Sequence, residues 1–263
     1  MVAGVFRNRH LIRLLTRREI LGRYRESMLG LVWSFLHPLI MLAVYTFVFS
    51  IVFKARWHHE VTGGRGQFAL ALFIGLIIHG VLAECVNRAP GLILSNANYV
   101  KKVVFPLEIF PWVQLGAALF HALASLAIWL VFYLLVNHTL CWTVVFLPLV
   151  IFPLLLFTMG LSWFLAALGV YLRDISQLTI VFTTILLFMS PVFYPLENLP
   201  LVYQRLLYLN PLTPIIVQAR QVLMWGGVPD WWTLSIMTSL GLLVAWLGFA
   251  VFQKSRRGFA DVL

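Results

Sequence analysis

From Leu140 to Leu172 the chain runs 33 residues without an aspartate, glutamate, lysine or arginine. As a helix rising about 1.5 Å per residue, that run exceeds the roughly 30 Å hydrocarbon core of a bilayer. Five further stretches share the property: Met28 to Phe53, Gly66 to Ala83, Ile109 to Val136, Ile175 to Met189 and Trp231 to Phe252. With 62% of residues hydrophobic and only 11% charged, the class follows: an integral membrane protein, not a soluble domain. An uninterrupted backbone in lipid must satisfy its own hydrogen bonds, so the spans are helices and the fold is all-α. We place six transmembrane helices at 28–53, 66–86, 109–136, 140–172, 175–190 and 231–253; Pro148, Pro153 and Gly160 suggest that the fourth either bends or projects its end beyond the lipid.

The charges orient these spans. Seven arginines before residue 28, the island from Arg88 to Lys102, Arg173 and the tail 254–263 hold 14 of the 19 basic residues. The opposite side keeps Lys54, Arg56, Arg65, Arg205 and Arg220. That asymmetry predicts both termini in the cytoplasm. A net charge of +10 would suggest nucleic acid in a soluble chain; here topology accounts for it, and no nucleic-acid partner is expected. A first apolar run this long does not read as the core of a cleavable signal peptide. Cys85 and Cys141 fall on opposite faces in this topology and are not expected to pair.

Between the spans lie three segments of distinct character. In residues 1–27, positions 6–27 read as an interfacial amphipathic helix or a plain basic tail. Leu11, Leu14, Leu15 and Leu21 share one side, Arg18 and Arg25 interrupt the stripe, and Glu19 and Arg23 stand at an i,i+4 spacing. The loop 88–108 is a polar, basic island. Ala89-Pro90-Gly91 should stop the incoming helix, Ser95, Asn96 and Asn98 are candidate N-caps, and Pro106 ends whatever helix carries Lys101 and Lys102. It fits either a solvated loop or a short docking helix. The segment 191–230 contains six of the chain's 12 prolines yet stays apolar. Leu201 to Leu209 and 214–225 read as two half-helices, the longer one with Thr213 as cap, Pro214 at its first position and Gly226 past its end. Such pieces either dip into the membrane and return or lie on its outer surface. Arg220, in the middle of the longer piece, is expected to face a wet path or a carboxylate.

Little in the chain suggests catalysis. No phosphate-cradling Gly-x-x-x-x-Gly-Lys-Ser/Thr loop is present, His58-His59-Glu60 lacks a third ligand at metal spacing, and the nine acids are scattered singly. Arg173 and Asp174 read as boundary charges. Tyr45, Trp129, Tyr133, Trp163 and Tyr194, with Tyr203 and Tyr208 in the outer segment, are candidates to line a path along which sugar rings slide over aromatic faces.

The stretch from Ser95 to Pro111 (SNANYVKKVVFPLEIFP) resembles the signature loop of the permease subunits of type-2 ABC exporters that move polysaccharides. The approach to the first span from Leu15 to Leu39 (LTRREILGRYRESMLGLVWSFLHPL), Tyr171 to Gln177 (YLRDISQ), Ser190 to Tyr194 (SPVFY) and Asn210 to Leu212 (NPL) are similar to the same family. The resemblance implies a homodimer working with two separate ATP-binding cassette subunits. ATP and magnesium would sit on those subunits and this chain would hold no cofactor. It implies a coupling helix at 95–105 using Ser95, Asn96, Asn98, Tyr99, Lys101, Lys102 and Phe105, with Arg173 and Asp174 nearby. It further implies an interface helix carrying Arg13, Arg17, Arg18, Arg23 and Arg25, and outer gate helices within 191–230 that include Arg220. The cargo would be a lipid-linked glycan of O-antigen or capsule type, leaving a bacterial cytoplasm through the inner membrane. Teichoic acid or a small lipid or drug are alternatives on the same fold. A membrane enzyme acting on polyprenyl-linked sugars is the reading from another class.

Overall fold

The structure is a computed structural model that describes residues 7–25, 27–48, 65–101 and 105–262. The expected first loop, with His58, His59 and Glu60, lies outside the described residues, as do Glu26 and the stretch 102–104. Every regular element among the described residues is helical: α1 (Arg9–Tyr24), α2 (Trp33–Tyr45), α3 (Arg65–Arg88), α4 (Ala97–Lys101), α5 (Phe110–Asn137), α6 (Leu147–Tyr171), α7 (Ile175–Phe188), α8 (Leu201–Leu207), α9 (Leu212–Met224), α10 (Trp231–Ser255) and α11 (Phe259–Val262). Five helical stretches have the length and composition to cross a membrane: 30–48, 66–91, 107–137, 142–171 and 231–258. The fifth expected span is α7, whose 14 residues reach about 21 Å at 1.5 Å each.

α3 is the centre of the bundle. Phe68 to Ile74, Ile78, Val81, Leu82, Cys85 and Val86 are all buried. A helix apolar on every side finds its place where neighbours surround it, and α5, α6, α7 and α9 all pack against this one. α6 and α10 form the most intimate pair. Gly160 and Gly248 let the two backbones meet, and a Cβ at Gly160 would stand 2.5 Å from the Val244 carbonyl oxygen. A Cβ at Gly248 would collide with the Gly160 oxygen. Between lipid-facing helices, where tails are as apolar as leucine, such close packing supplies the attraction.

Several local expectations shift. Pro148 sits at the start of α6, where its missing N–H costs nothing, so it opens the helix instead of bending it; Pro153 is the proline inside. α3 stops at Arg88 and a single tight turn, Ala89–Gly91, follows, as the proline dictates. Asp230 caps α10 by accepting bonds from the Trp232 N–H and the Thr233 hydroxyl. The Thr233 bond first, then the backbone donors, hold its carboxyl below the usual range.

Candidate coupling and gate sites

The basic island folds as a tight turn, Leu94–Asn96, leading into α4. Ser95 and Asn96 do not cap α4. The Ser95 hydroxyl donates to the Gly91 carbonyl at 2.7 Å and the Asn96 amide to the Leu92 carbonyl at 2.9 Å. Both side chains thus satisfy carbonyls left open where the preceding turns end. Asn98 is exposed, Lys101 is the last residue of α4, and Lys102 lies outside the described residues. Five residues cannot hold a helix by themselves, and aromatic packing fixes this one. The Tyr99 ring lies 4.6 Å from Phe105 and 5.8 Å from Phe110, and Phe105 stacks on Phe110 at 5.2 Å. Arg173 and Asp174 are exposed at the turn into α7.

α1 is clamped to this same face. Leu15 is buried against Ile109 and Val113, with Leu11, Ile12 and Phe105 around them. Thr16 sits so close to α5 that a Cβ on Gly116 would meet it at 2.9 Å. Leu14 and Leu21 remain exposed, so the expected stripe is only half used within the chain. Arg13, Arg17, Arg18, Arg23 and Arg25 all reach the surface. The i,i+4 pair of Glu19 and Arg23 does not form. Glu19 instead accepts from Arg88 at 2.8 Å, and Arg23 meets Glu84 at 2.7 Å, both across to α3. His121 on α5 joins the second pair, its Nδ1 lying 2.8 Å from Arg23 and 3.2 Å from Glu84. A cavity of about 420 Å³ opens above this cluster, lined by Trp33, Ser34 and His37 among others.

The opposite end is built on α9, ten of whose 13 residues are buried. It packs against α3 and α6, so its apolar side is turned into the bundle. α8 is the exposed one, with Tyr203 60% and Leu209 beyond it 81% accessible. Pro211, not Thr213, holds the cap position of α9 and makes no side-chain bond; the side chain that serves this end is that of Asn210. Its side-chain oxygen accepts from the Leu212 N–H at 3.0 Å, while its amide reaches the Ser190 hydroxyl at 2.8 Å and the Met189 carbonyl at 3.1 Å. One asparagine therefore starts α9 and ties it to the end of α7. Gly226 follows α9 with a φ of 64°, the left-handed value a helix end favours.

Arg220 is fully buried. Its Nε donates to the Ala71 carbonyl at 2.8 Å, Nη1 to Pro191 at 2.5 Å and Nη2 to Val192 at 2.9 Å. Within this chain the guanidinium braces main-chain carbonyls inside the bundle. Pro191 and Val192 come after α7 ends, where no helical N–H is at hand. Gly75 leaves the room, since a Cβ there would crowd the Arg220 Nη2 at 3.1 Å.

Three of the aromatic candidates are also core residues. Trp129 is wholly enclosed, stacked on Tyr133 at 4.9 Å with its indole N–H on the Leu70 carbonyl at 3.0 Å. Trp163 is equally enclosed and donates to the Glu108 carbonyl at 3.1 Å, and the Tyr133 hydroxyl lies 3.4 Å from the Met224 carbonyl. An indole that finds a carbonyl inside the protein has no cause to sit at an interface. Tyr45, Tyr194, Tyr203 and Tyr208 are at least partly accessible. Trp129→Phe should accordingly reduce thermal stability by about 1 kcal/mol, the worth of one buried hydrogen bond. Transport per folded molecule should not change. A melting curve beside a transport assay separates this from a path-lining role.

Residues 10–224 match the model of the ABC-2 type transporter family. The chain belongs to that family. Among curated relatives of this ABC-2 protein, the O-antigen export system permease RfbA of Myxococcus xanthus is 27% identical over 263 residues, covering 99% of this chain and 98% of the relative. RfbA of Klebsiella pneumoniae is 25% identical over 96% and 95%. The polysialic acid transport protein KpsM of Escherichia coli is 23% identical, covering 92% of each chain. The ABC-2 match embraces α1, α4 and α9 alike, so the basic face and the buried outer helix both fall within the family region. Sequence reasoning had missed Glu84, His121 and Glu108 as members of the basic face. The available signal was that acids are rare here and that two of the nine stand at the edges of the loop 88–108.

Proposed function

We propose that this chain is the membrane-spanning subunit of an ATP-driven exporter that carries a lipid-linked polysaccharide, of O-antigen or capsule type, out of the bacterial cytoplasm. One observation carries the reading: similarity along more than nine-tenths of both chains to permeases named for O-antigen export and polysialic acid transport. The geometry agrees with it. A basic face built from α1 and α4 suits a docking partner, and a buried half-helix lies near the far ends of α3 and α6. ATP binding and hydrolysis belong to a separate cassette subunit, two per assembly, with α4 and Lys101 as the contact. Two copies of this chain enclose the glycan between them, their contact drawing on the outward apolar surfaces of α2 and α7, where Phe35, Leu39, Val181 and Ile185 are exposed. A single bundle this tightly filled leaves no passage for a polymer. Six crossings, with α7 and the turn after it as the fifth, put both termini in the cytoplasm.

The functional test is deletion of the gene with its cassette partner. Surface glycan should disappear and lipid-linked glycan should accumulate inside. Unchanged surface glycan alongside loss of a teichoic acid, a small lipid or a drug from the medium would move the cargo to that class. Topology has its own test on a variant lacking Cys85 and Cys141. An impermeant thiol reagent on intact spheroplasts should label Thr139→Cys and leave Ser95→Cys untouched until the membrane is opened. Both positions are exposed, so burial does not mask the answer, and the reverse pattern would invert the orientation.

A further inference from the structure

We propose that the C-terminal tail is a brace for the coupling segment, and that Arg256 is a positioning residue through which movement of α4 reaches α10. The inference rests on the export reading above but concerns residues outside the region matched to the family. The tail turns under the bundle after Ser255 and ends in α11, which packs against α4 and α6. Phe259 is wholly buried, 5.6 Å from the Phe252 ring and 6.2 Å from Tyr171. The Tyr171 hydroxyl donates to the Ser255 carbonyl at 3.0 Å, so the end of α6 holds the start of the turn. Arg256 then reaches across to the junction between α4 and α5. Its Nη1 meets the Glu108 carboxylate at 2.8 Å and its Nη2 donates to the Phe105 carbonyl at 3.2 Å. Trp163 holds the Glu108 carbonyl from the other side at 3.1 Å.

The mechanical consequence follows from what holds α4. It is a five-residue helix supported by Tyr99 on Phe105 and Phe110, and the chain leaves it through Phe105 to Glu108. The junction is one of the routes by which a push on α4 leaves it, beside the turn Leu94–Asn96, and Arg256 grips that junction at two points. Because α6 and α10 meet backbone to backbone at Gly160 and Gly248, whatever moves the tail moves both helices as one body. A solvated tail would need none of these contacts. The Arg256–Glu108 pair is partly buried, so complex recovery is measured beside export to separate a loss of coupling from a loss of folding.

The experiment uses the full permease co-expressed with its cassette subunit and reconstituted in proteoliposomes. Arg256→Ala should leave complex recovery and ATP hydrolysis close to wild type while glycan export falls about fivefold or more, the lower range of ordinary coupling energies. Arg256→Glu with Glu108→Arg should recover most of the export that Arg256→Glu alone loses. A second readout does not need the cargo. Spin labels at the exposed positions Asn98 and Arg257 should both change mobility when a non-hydrolysable ATP analogue binds, and Arg256→Ala should silence the Arg257 label while leaving Asn98 responsive. Wild-type export by Arg256→Ala overturns the brace, as does a loss proportional to missing complex, a swap without recovery, or an Arg257 label that still responds. Should wild type move no glycan while its labels respond as described, the cargo reading fails and the brace stands.

Discussion

Gly248→Val should leave almost no folded protein in the membrane. The new side chain would begin inside the Gly160 carbonyl group, and the atom it strikes is backbone, which no rotamer change can move. Overpacking where side chains can yield costs about 1–3 kcal/mol, and here α6 and α10 would have to separate along their whole contact. The pair also carries the tail and, through Trp163, the α4–α5 junction, so little of the bundle would keep its shape. Detergent-extracted protein followed by fluorescence on a size-exclusion column should show the monodisperse peak fall by about tenfold or more, the effect of roughly 1.4 kcal/mol or above. Gly241→Ala on the same helix is the control. Its Cβ would meet the Leu156 Cβ at 3.0 Å and the Pro153 oxygen at 3.2 Å, contacts that a shift of a few tenths of an ångström relieves. A normal Gly248→Val peak would mean that α6 and α10 are not so closely packed.

Arg220→Leu should be the second most damaging change, and it should act on the amount of protein before it acts on transport. Leucine fills part of the volume but offers no donors, so the carbonyls of Pro191 and Val192 lose theirs in a buried place. Each buried group left unsatisfied costs about 1–3 kcal/mol. The chain between α7 and α8 would lose the shape that those bonds impose. Arg220→Lys keeps the charge but replaces a planar fork with one point donor, so it should rescue part of the loss. The measurement is the melting temperature and membrane yield of the three proteins, with transport normalised to yield. Full yield with abolished transport would return the arginine to the path.

What the sequence made legible was governed by long apolar runs. The spans, the stop at Pro90 and the half-helix ending at Gly226 all depend on length, on a missing N–H or on a left-handed residue, and such constraints hold whatever the neighbours do. Choices between partners did not carry over. Glu19 and Arg23 had each other at helical spacing, yet each bonded to α3, because α1 lies along α5 where the end of α3 is within reach. Thr213 was a sound cap on local grounds, but Asn210 reaches both α9 and Ser190, and a side chain that satisfies two elements at once prevails. Trp129 and Trp163 read as path-lining candidates because an aromatic face within a span suits a sliding sugar ring. The carbonyls of Leu70 and Glu108 that draw them inward belong to distant parts of the chain. In the same way, the Arg256–Glu108 bridge joins residues 148 positions apart, and no local pattern announces it.

The brevity of α7 has a bearing on the lipid as well as on the protein. A rod of about 21 Å beside α3 and α6, of 24 and 25 residues, cannot match a hydrocarbon layer of about 30 Å. Acyl chains along that flank must shorten or tilt toward it, at a modest cost for each ångström of mismatch. On the proposed six-crossing topology, the bilayer is pinched beside α7. Membranes rich in short acyl chains would ease that pinch, and longer chains would deepen it.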